Sequence, residues 1–141
     1  MEDKLALKAL VVLMRSSQTV QDIVKQDMEK YGVNPTEFAV LELLYHKGEL
    51  PIQHIGKKIL LASSSITYVV DKLEGKGFVE RIACPNDRRV TYASITEAGK
   101  RFIEGAFPQH EKRIEEVFAP LSDEELNTMI VLLKKIGLQQ S

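Results

Sequence analysis

Residues 63–99 read SSSITYVVDKLEGKGFVERIACPNDRRVTYASITEAG, and the order of patterns inside this stretch decides the fold. Ile66, Val69, Val70 and Leu73 recur at helical spacing behind the hydroxyl-rich start Ser63-Ser64-Ser65. Gly75-Lys76-Gly77 stops that helix. Two segments rich in β-branched and aromatic residues follow, Phe78 to Ile82 and Val90 to Ile95, which is the composition of strands. Between them Cys84-Pro-Asn-Asp-Arg-Arg89 carries the turn formers Pro, Asn and Asp, so a hairpin with a charged tip is expected.

Working outward, Pro51 opens a short helix that runs to about Lys58, and the run Leu61 to Ser65 interrupts the pattern before Ile66 resumes it. Two short helices joined by a tight turn and followed by a charged hairpin make a winged helix-turn-helix, a mainly α fold with a small β part. Upstream, Asn34-Pro35-Thr36-Glu37 has a capping side chain, a proline in the first turn and a glutamate three residues after the cap, which starts a helix ending near His46. Before it, from Lys4 to about Lys30, Leu7, Leu10, Val11, Met14, Ile23, Val24 and Met28 mark a long amphipathic helix. Downstream, helix is expected from Thr96 to about Phe118, with a kink at Pro108 where a backbone donor is missing. Ser122-Asp-Glu-Glu125 is a second capping box, and Leu126, Met129, Ile130, Leu133 and Ile136 form the apolar stripe of a last helix.

The 141 residues suit one domain, 1–141, with a central winged-helix module at 34–96 and long flanking helices at 1–33 and 97–141. So small a module cannot bury the apolar faces of both flanks, which makes a second copy the expected partner and the flanks dimerisation helices. Hydrophobic residues at 44% and charged residues at 28% exclude disordered, collagen-like and membrane classes. The charged start Met1-Glu-Asp-Lys4 and the shortness of the run Ala9 to Met14 make a signal peptide or spanning helix unexpected. One cysteine, Cys84, permits no internal disulfide, and a reducing cytoplasm fits it best.

The net charge of -1 conceals a gradient. Residues 51–94 hold seven Lys and Arg against four Asp and Glu, whereas each flank holds six against eight. A basic centre between acidic arms is the distribution of a double-stranded DNA reader. Ser63, Ser64, Ser65, Thr67 and Tyr68 place hydroxyls at the start of the second helix, where backbone N–H groups also favour phosphate. Arg88 and Arg89 at the hairpin tip suit a narrow minor groove, and Asp87 fits there only by pairing with a neighbouring arginine.

Enzyme chemistry finds no footing in these residues. Gly75-Lys76-Gly77 ends a helix rather than opening one, as a phosphate loop must. Ser63 to Ser65 lack the flanking glycines of a nucleophile elbow. His46, His54 and His110 lack the spacing that puts two ligands on one helical face, so neither a metal nor a cofactor is expected.

Phe38-Ala-Val-Leu41, Ser64-Ser-Ile-Thr67 through Leu73, Gly77-Phe78, Asp87-Arg-Arg89 and Ile95-Thr96-Glu97-Ala-Gly99, in this order, resemble the MarR family of bacterial regulators over essentially the whole chain. The resemblance implies a homodimer over a palindromic operator, usually for repression, with Ser63 to Tyr68 facing the major groove. It further implies Arg89 in the minor groove, Asp87 orienting it, and Arg88 on a phosphate. Members of the family respond to small aromatic or phenolic ligands or to oxidation of a cysteine in the first helix. Here that helix has Ser16 and Ser17 but no cysteine, which excludes the second route.

The chain is similar, more loosely, to a quinone- and hydroquinone-responsive branch, and Met14, Phe38, Tyr45 and Phe107 are candidate walls of an effector pocket between the central module and the arms. Each serves equally as plain core. Two other readings stay open: a redox-responsive repressor using Cys84 at the wing base, and a winged helix serving as a protein-interaction module.

Overall fold

The computed structural model describes residues 2–59 and 63–137. The turn expected through Leu61 and Ala62 lies outside the described residues, and so do the side chains of Ser63 and Ser64.

Helix α1 spans Glu2–Glu29 and α2 spans Pro35–Lys47. The capping box that starts α2 is formed as its sequence requires: the Asn34 side chain accepts from the Glu37 amide at 2.8 Å, and Glu37 Oε1 accepts from the Asn34 amide at 2.9 Å. Strand β1, Glu49–Pro51, follows directly, then α3 at Ile52–Lys58 and α4 at Ser63–Gly75. Strands β2, Val79–Ala83, and β3, Thr91–Ile95, form the hairpin. Helices α5, Glu97–Phe118, and α6, Asp123–Gly137, complete the chain.

The sheet is antiparallel in the order β1-β3-β2, with Leu50 opposite Ala93 and Arg81 opposite the same residue from the other side. Its third strand is an addition to the two expected from sequence. Glu49-Leu-Pro51 is too short to show alternation, and its hydrogen-bonding partner comes from a distant part of the chain. Pro51 accordingly ends a strand, and the helix it was expected to open begins one residue later. Ser63 to Ser65, expected at the start of the second helix, form the first turn of α4. Helix α5 runs unbroken through Pro108.

Leu41 and Leu44 of α2, Ile55 of α3, Ile66, Val70 and Leu73 of α4, Val79 and Ala93 of the sheet and Ile103 of α5 make one core. Each fully buried Leu, Ile or Val contributes about 1.5–3 kcal/mol of transfer free energy. The arms differ. Leu5, Leu7, Leu10, Val11, Val12, Leu13 and Met14 of α1 are 38–70% exposed, and α6 buries none of its residues. An open groove of about 870 Å³ lies between these helices, lined by Ala9, Leu10, Leu13, Met129, Leu133 and Ile136 among others.

Candidate nucleic-acid interface

Helix α4 has three faces. Ile66, Val69, Val70 and Leu73 point into the core. Ser65, Tyr68 and Lys72, spaced by three and four residues, form an exposed stripe on which the Lys72 ammonium lies 5.3 Å from the centre of the Tyr68 ring. Tyr68 is 61% exposed, a large aromatic left in solvent on a helix whose apolar Ile66, Val69, Val70 and Leu73 are buried. Thr67, Asp71 and Glu74 form the remaining stripe, on the side of the hairpin.

At the C-terminal end of α4 the chain reverses through Gly77, whose φ of 79° is the left-handed value that glycine adopts without a steric penalty. The Gly77 amide donates to the Glu74 carbonyl at 3.0 Å and the Phe78 amide to the Leu73 carbonyl at 3.1 Å, which closes the helix and turns the chain into β2.

At the hairpin tip, the Asp87 carboxylate accepts from the Arg89 amide at 2.9 Å, from Arg89 Nε at 3.2 Å and from Arg89 Nη2 at 3.3 Å. Hydrogen bonds from the Arg89 side chain and backbone hold the Asp87 carboxyl below its usual range, against a smaller opposing effect of burial. The Arg89 side chain is 90% exposed, so its charge is directed outward and oriented at once. Arg88 is exposed beside it.

Behind the tip, Arg81 of β2 binds Asp71 and Glu74 of α4 at 2.6 Å each and reaches the Thr67 carbonyl at 3.5 Å. Sequence reasoning missed this bridge, because Arg81 and its partners lie on opposite sides of a turn. Two further ties were also missed. Lys76 donates to the Gly32 carbonyl at 2.7 Å and to the buried Glu37 carboxylate at 2.9 Å, joining the end of α4 to the α1–α2 corner. His110 of α5 pairs at 2.9 Å with the buried Asp27 of α1 and tilts against Phe38, their ring centres 5.2 Å apart.

Thr96 and Gly99 explain the motif that follows the wing. The Thr96 hydroxyl donates to the Gly77 carbonyl at 2.6 Å and accepts from the Gly99 amide at 3.1 Å, which caps α5 against the end of α4. Gly99 is so close to the Phe78 carbonyl oxygen that no Cβ fits there.

The four candidate pocket residues divide. Tyr45 and Phe107 line a cleft of about 270 Å³ between α2 and α5, with Glu42, His46, Ile103 and Glu104. Phe38 is 2% exposed and stacks behind Phe107, which makes it core rather than wall. Met14 lies 61% exposed on α1 and is not among the lining residues of that cleft. Across the cleft the Tyr45 hydroxyl donates to Glu104 at 2.8 Å, and this hydrogen bond, more than desolvation, raises the phenol's pKa. Cys84 is half-buried just past β2, its amide bonded to the Val90 carbonyl. Among the described residues no group of three or more His, Cys, Asp or Glu is placed to hold a metal ion, and no helix is long and apolar enough to cross a membrane.

A helix-turn-helix whose second helix exposes hydroxyl and aromatic side chains, beside a hairpin tipped with an oriented arginine, defines the class of winged-helix DNA-binding proteins. The family model of the MarR family matches residues 33–91. The HTH-type transcriptional regulator MhqR of Bacillus subtilis is 53% identical over 133 residues, covering 94% of this chain and 92% of its own length. The chain belongs to the MarR family, as its motifs lead one to expect, and is a DNA-binding transcriptional regulator rather than an enzyme.

Two solved structures share the fold. AbsC, a MarR family transcriptional regulator from Streptomyces coelicolor, superposes with a TM-score of 0.88 at 20% identity, covering 95% of this chain and 93% of that one. A mutant MarR from Escherichia coli complexed with operator DNA gives 0.83 at 22% identity, covering 96% of each chain.

Proposed function

We propose that the protein is a cytoplasmic repressor that binds a palindromic operator as a homodimer and leaves it when a small phenolic or quinone-type compound binds. Residues 34–96 form the DNA-binding module, and 1–33 and 97–141 the dimerisation arms. Ser63, Ser64, Ser65, Thr67 and Tyr68 face the major groove, Arg89 enters the minor groove under the control of Asp87, and Arg88 meets a phosphate.

The observation that carries this reading is the Asp87–Arg89 pair, because two hydrogen bonds from the guanidinium, beside one from the Arg89 amide, fix the direction of a side chain left 90% exposed. An arginine that served only solubility would have no need of orientation. The dimer is supported by the apolar surface that α1 and α6 leave uncovered, since a patch of that kind marks an association surface. Twofold symmetry of the dimer then requires twofold symmetry of the DNA site.

The effector reading is supported by the α2–α5 cleft, which has room for one substituted ring beside Phe107. There Glu104 already accepts a hydrogen bond from one phenol, that of Tyr45. A hydroquinone offers the same donor to the same carboxylate, and displacing Tyr45 removes one tie between α2 and α5. Such a change alters how the central module is held on the arms. The test is fluorescence anisotropy on a labelled duplex from upstream of the protein's own gene, beside a scrambled duplex, with a panel of phenols and quinones added to the complex. Selective, salt-sensitive binding that one class of compound reverses is expected. Selective binding that no compound reverses would remove the effector and leave the regulator.

A further inference from the structure

Helix α4 carries an electrostatic contradiction. Its charged residues are Asp71, Lys72 and Glu74, so on its own it brings net negative charge to a polyanion. B-DNA presents one phosphate charge per about 1.7 Å of axis, and nearby carboxylates oppose binding. Both carboxylates are well exposed, Asp71 at 59% and Glu74 at 43%, so burial does not hide them.

We infer that Arg81 is the positioning residue that resolves this contradiction: one guanidinium neutralises both carboxylates of the recognition helix and fixes that helix against the wing. The geometry is that of a dedicated bridge. Nη1 donates to Glu74 and Nη2 to Asp71, each at 2.6 Å, while Nη2 also points to the Thr67 carbonyl. Thr67, Asp71 and Glu74 are spaced by four and three residues and so lie on one stripe of α4. Arg81 is the most buried member of the group, 26% exposed, with its donors turned to α4 rather than outward.

A planar fork can serve two carboxylates at once, whereas a lysine ammonium is a point charge. Because β2 is hydrogen-bonded to β3 along its length, the same bridge ties the direction of the wing to that of the helix. Arg81 thus acts through Asp71 and Glu74, while Arg89 projects toward the DNA. The inference rests on α4 facing the major groove, as proposed above.

The experiment uses a duplex selected by the wild-type protein from a randomised pool, with affinities read by anisotropy at two salt concentrations and folding checked by thermal unfolding. Arg81→Met is expected to weaken binding about tenfold at low salt, the order of effect of unmasking charge near phosphates. Adding Asp71→Asn and Glu74→Gln to that variant is expected to restore affinity to within about threefold of wild type, since no charge then needs masking and the remaining shortfall is the lost tie between α4 and the wing.

A triple variant as weak as Arg81→Met, or an Arg81→Met protein that binds like wild type, would overturn the inference. If Arg81→Met does not fold, Asp71→Asn with Glu74→Gln decides alone: with Arg81 kept it must bind at least as tightly as wild type, and weaker binding refutes the masking role. Failure of the wild-type protein to select any duplex would instead refute the DNA-facing reading itself, and the inference with it.

Discussion

Arg89 is almost fully exposed and yet held in place, and that combination is set by one neighbour two positions away. Asp87→Asn removes the charge from the acceptor while keeping its size. We expect weaker operator binding with unchanged thermal stability, because an exposed pair of this kind contributes little to folding. The sign of the pH effect follows from the direction of the Asp87 shift. Its carboxyl is depressed in the folded protein, so the pairing is present above the free carboxyl's pKa and is lost as pH falls through the depressed value. Arg89 orientation therefore contributes no pH dependence to affinity between pH about 5 and about 8. An Asp87-dependent slope in that window, seen by titrating wild type and Asp87→Asn in parallel, would contradict the assignment.

Two glycines in α5 behave in opposite ways for reasons equally local. Gly99→Ala drives a methyl into the Phe78 carbonyl and the Ile95 side chain and should cost about 1–3 kcal/mol. At Gly105 nothing lies within 4 Å of a new Cβ, so Gly105→Ala should stabilise the helix by about 0.5–1 kcal/mol. Chemical denaturation of the two variants checks both signs.

Among elements, the ends of helices do most of the connecting. Lys76, one residue past α4, holds the buried Glu37 that caps α2, and Lys76→Ala leaves that carboxylate without its cation. A loss of about 1–3 kcal/mol in urea unfolding is expected, the cost of an uncompensated buried acceptor. The local features were the legible ones. Asn34 with Glu37, Ser122 with Glu125, and Asp87 with Arg89 interact within two or three residues, and their types alone identify the geometry.

What escaped sequence reading needed contacts that only folding brings together. His110 meets Asp27 across 83 positions, and β1 is defined by pairing with β3 rather than by any pattern of its own. The bridge at Arg81 spans a glycine turn whose path cannot be derived from composition. Phe38 is a candidate wall and equally a candidate core residue in sequence, because an aromatic on a helix serves either purpose; in the fold it is buried behind Phe107.

For the whole molecule, the core takes in the central module with Met28, Val33, Ile103 and Ala106 of the arms, while the first half of α1 and α6 leave apolar surface exposed. Leu133 lines the groove between α1 and α6 and is 42% exposed, so Leu133→Asp should impair association while sparing the central fold. Sedimentation is expected to give a dimer for the wild-type protein and a monomer for the variant, with the variant's operator affinity falling because each half-site is then bound alone. A monomeric wild-type protein would remove the dimer from the account.

The most direct test of a dimeric winged-helix reader is a stoichiometric anisotropy titration of one selected duplex, at two salt concentrations, with wild type and Arg89→Ala. Two protomers per duplex are expected, with affinity falling steeply with salt. A loss of about tenfold or more is expected for an Arg89→Ala protein that remains dimeric. Salt-insensitive binding, or an Arg89→Ala protein that binds as tightly as wild type, would contradict the dimeric winged-helix reading.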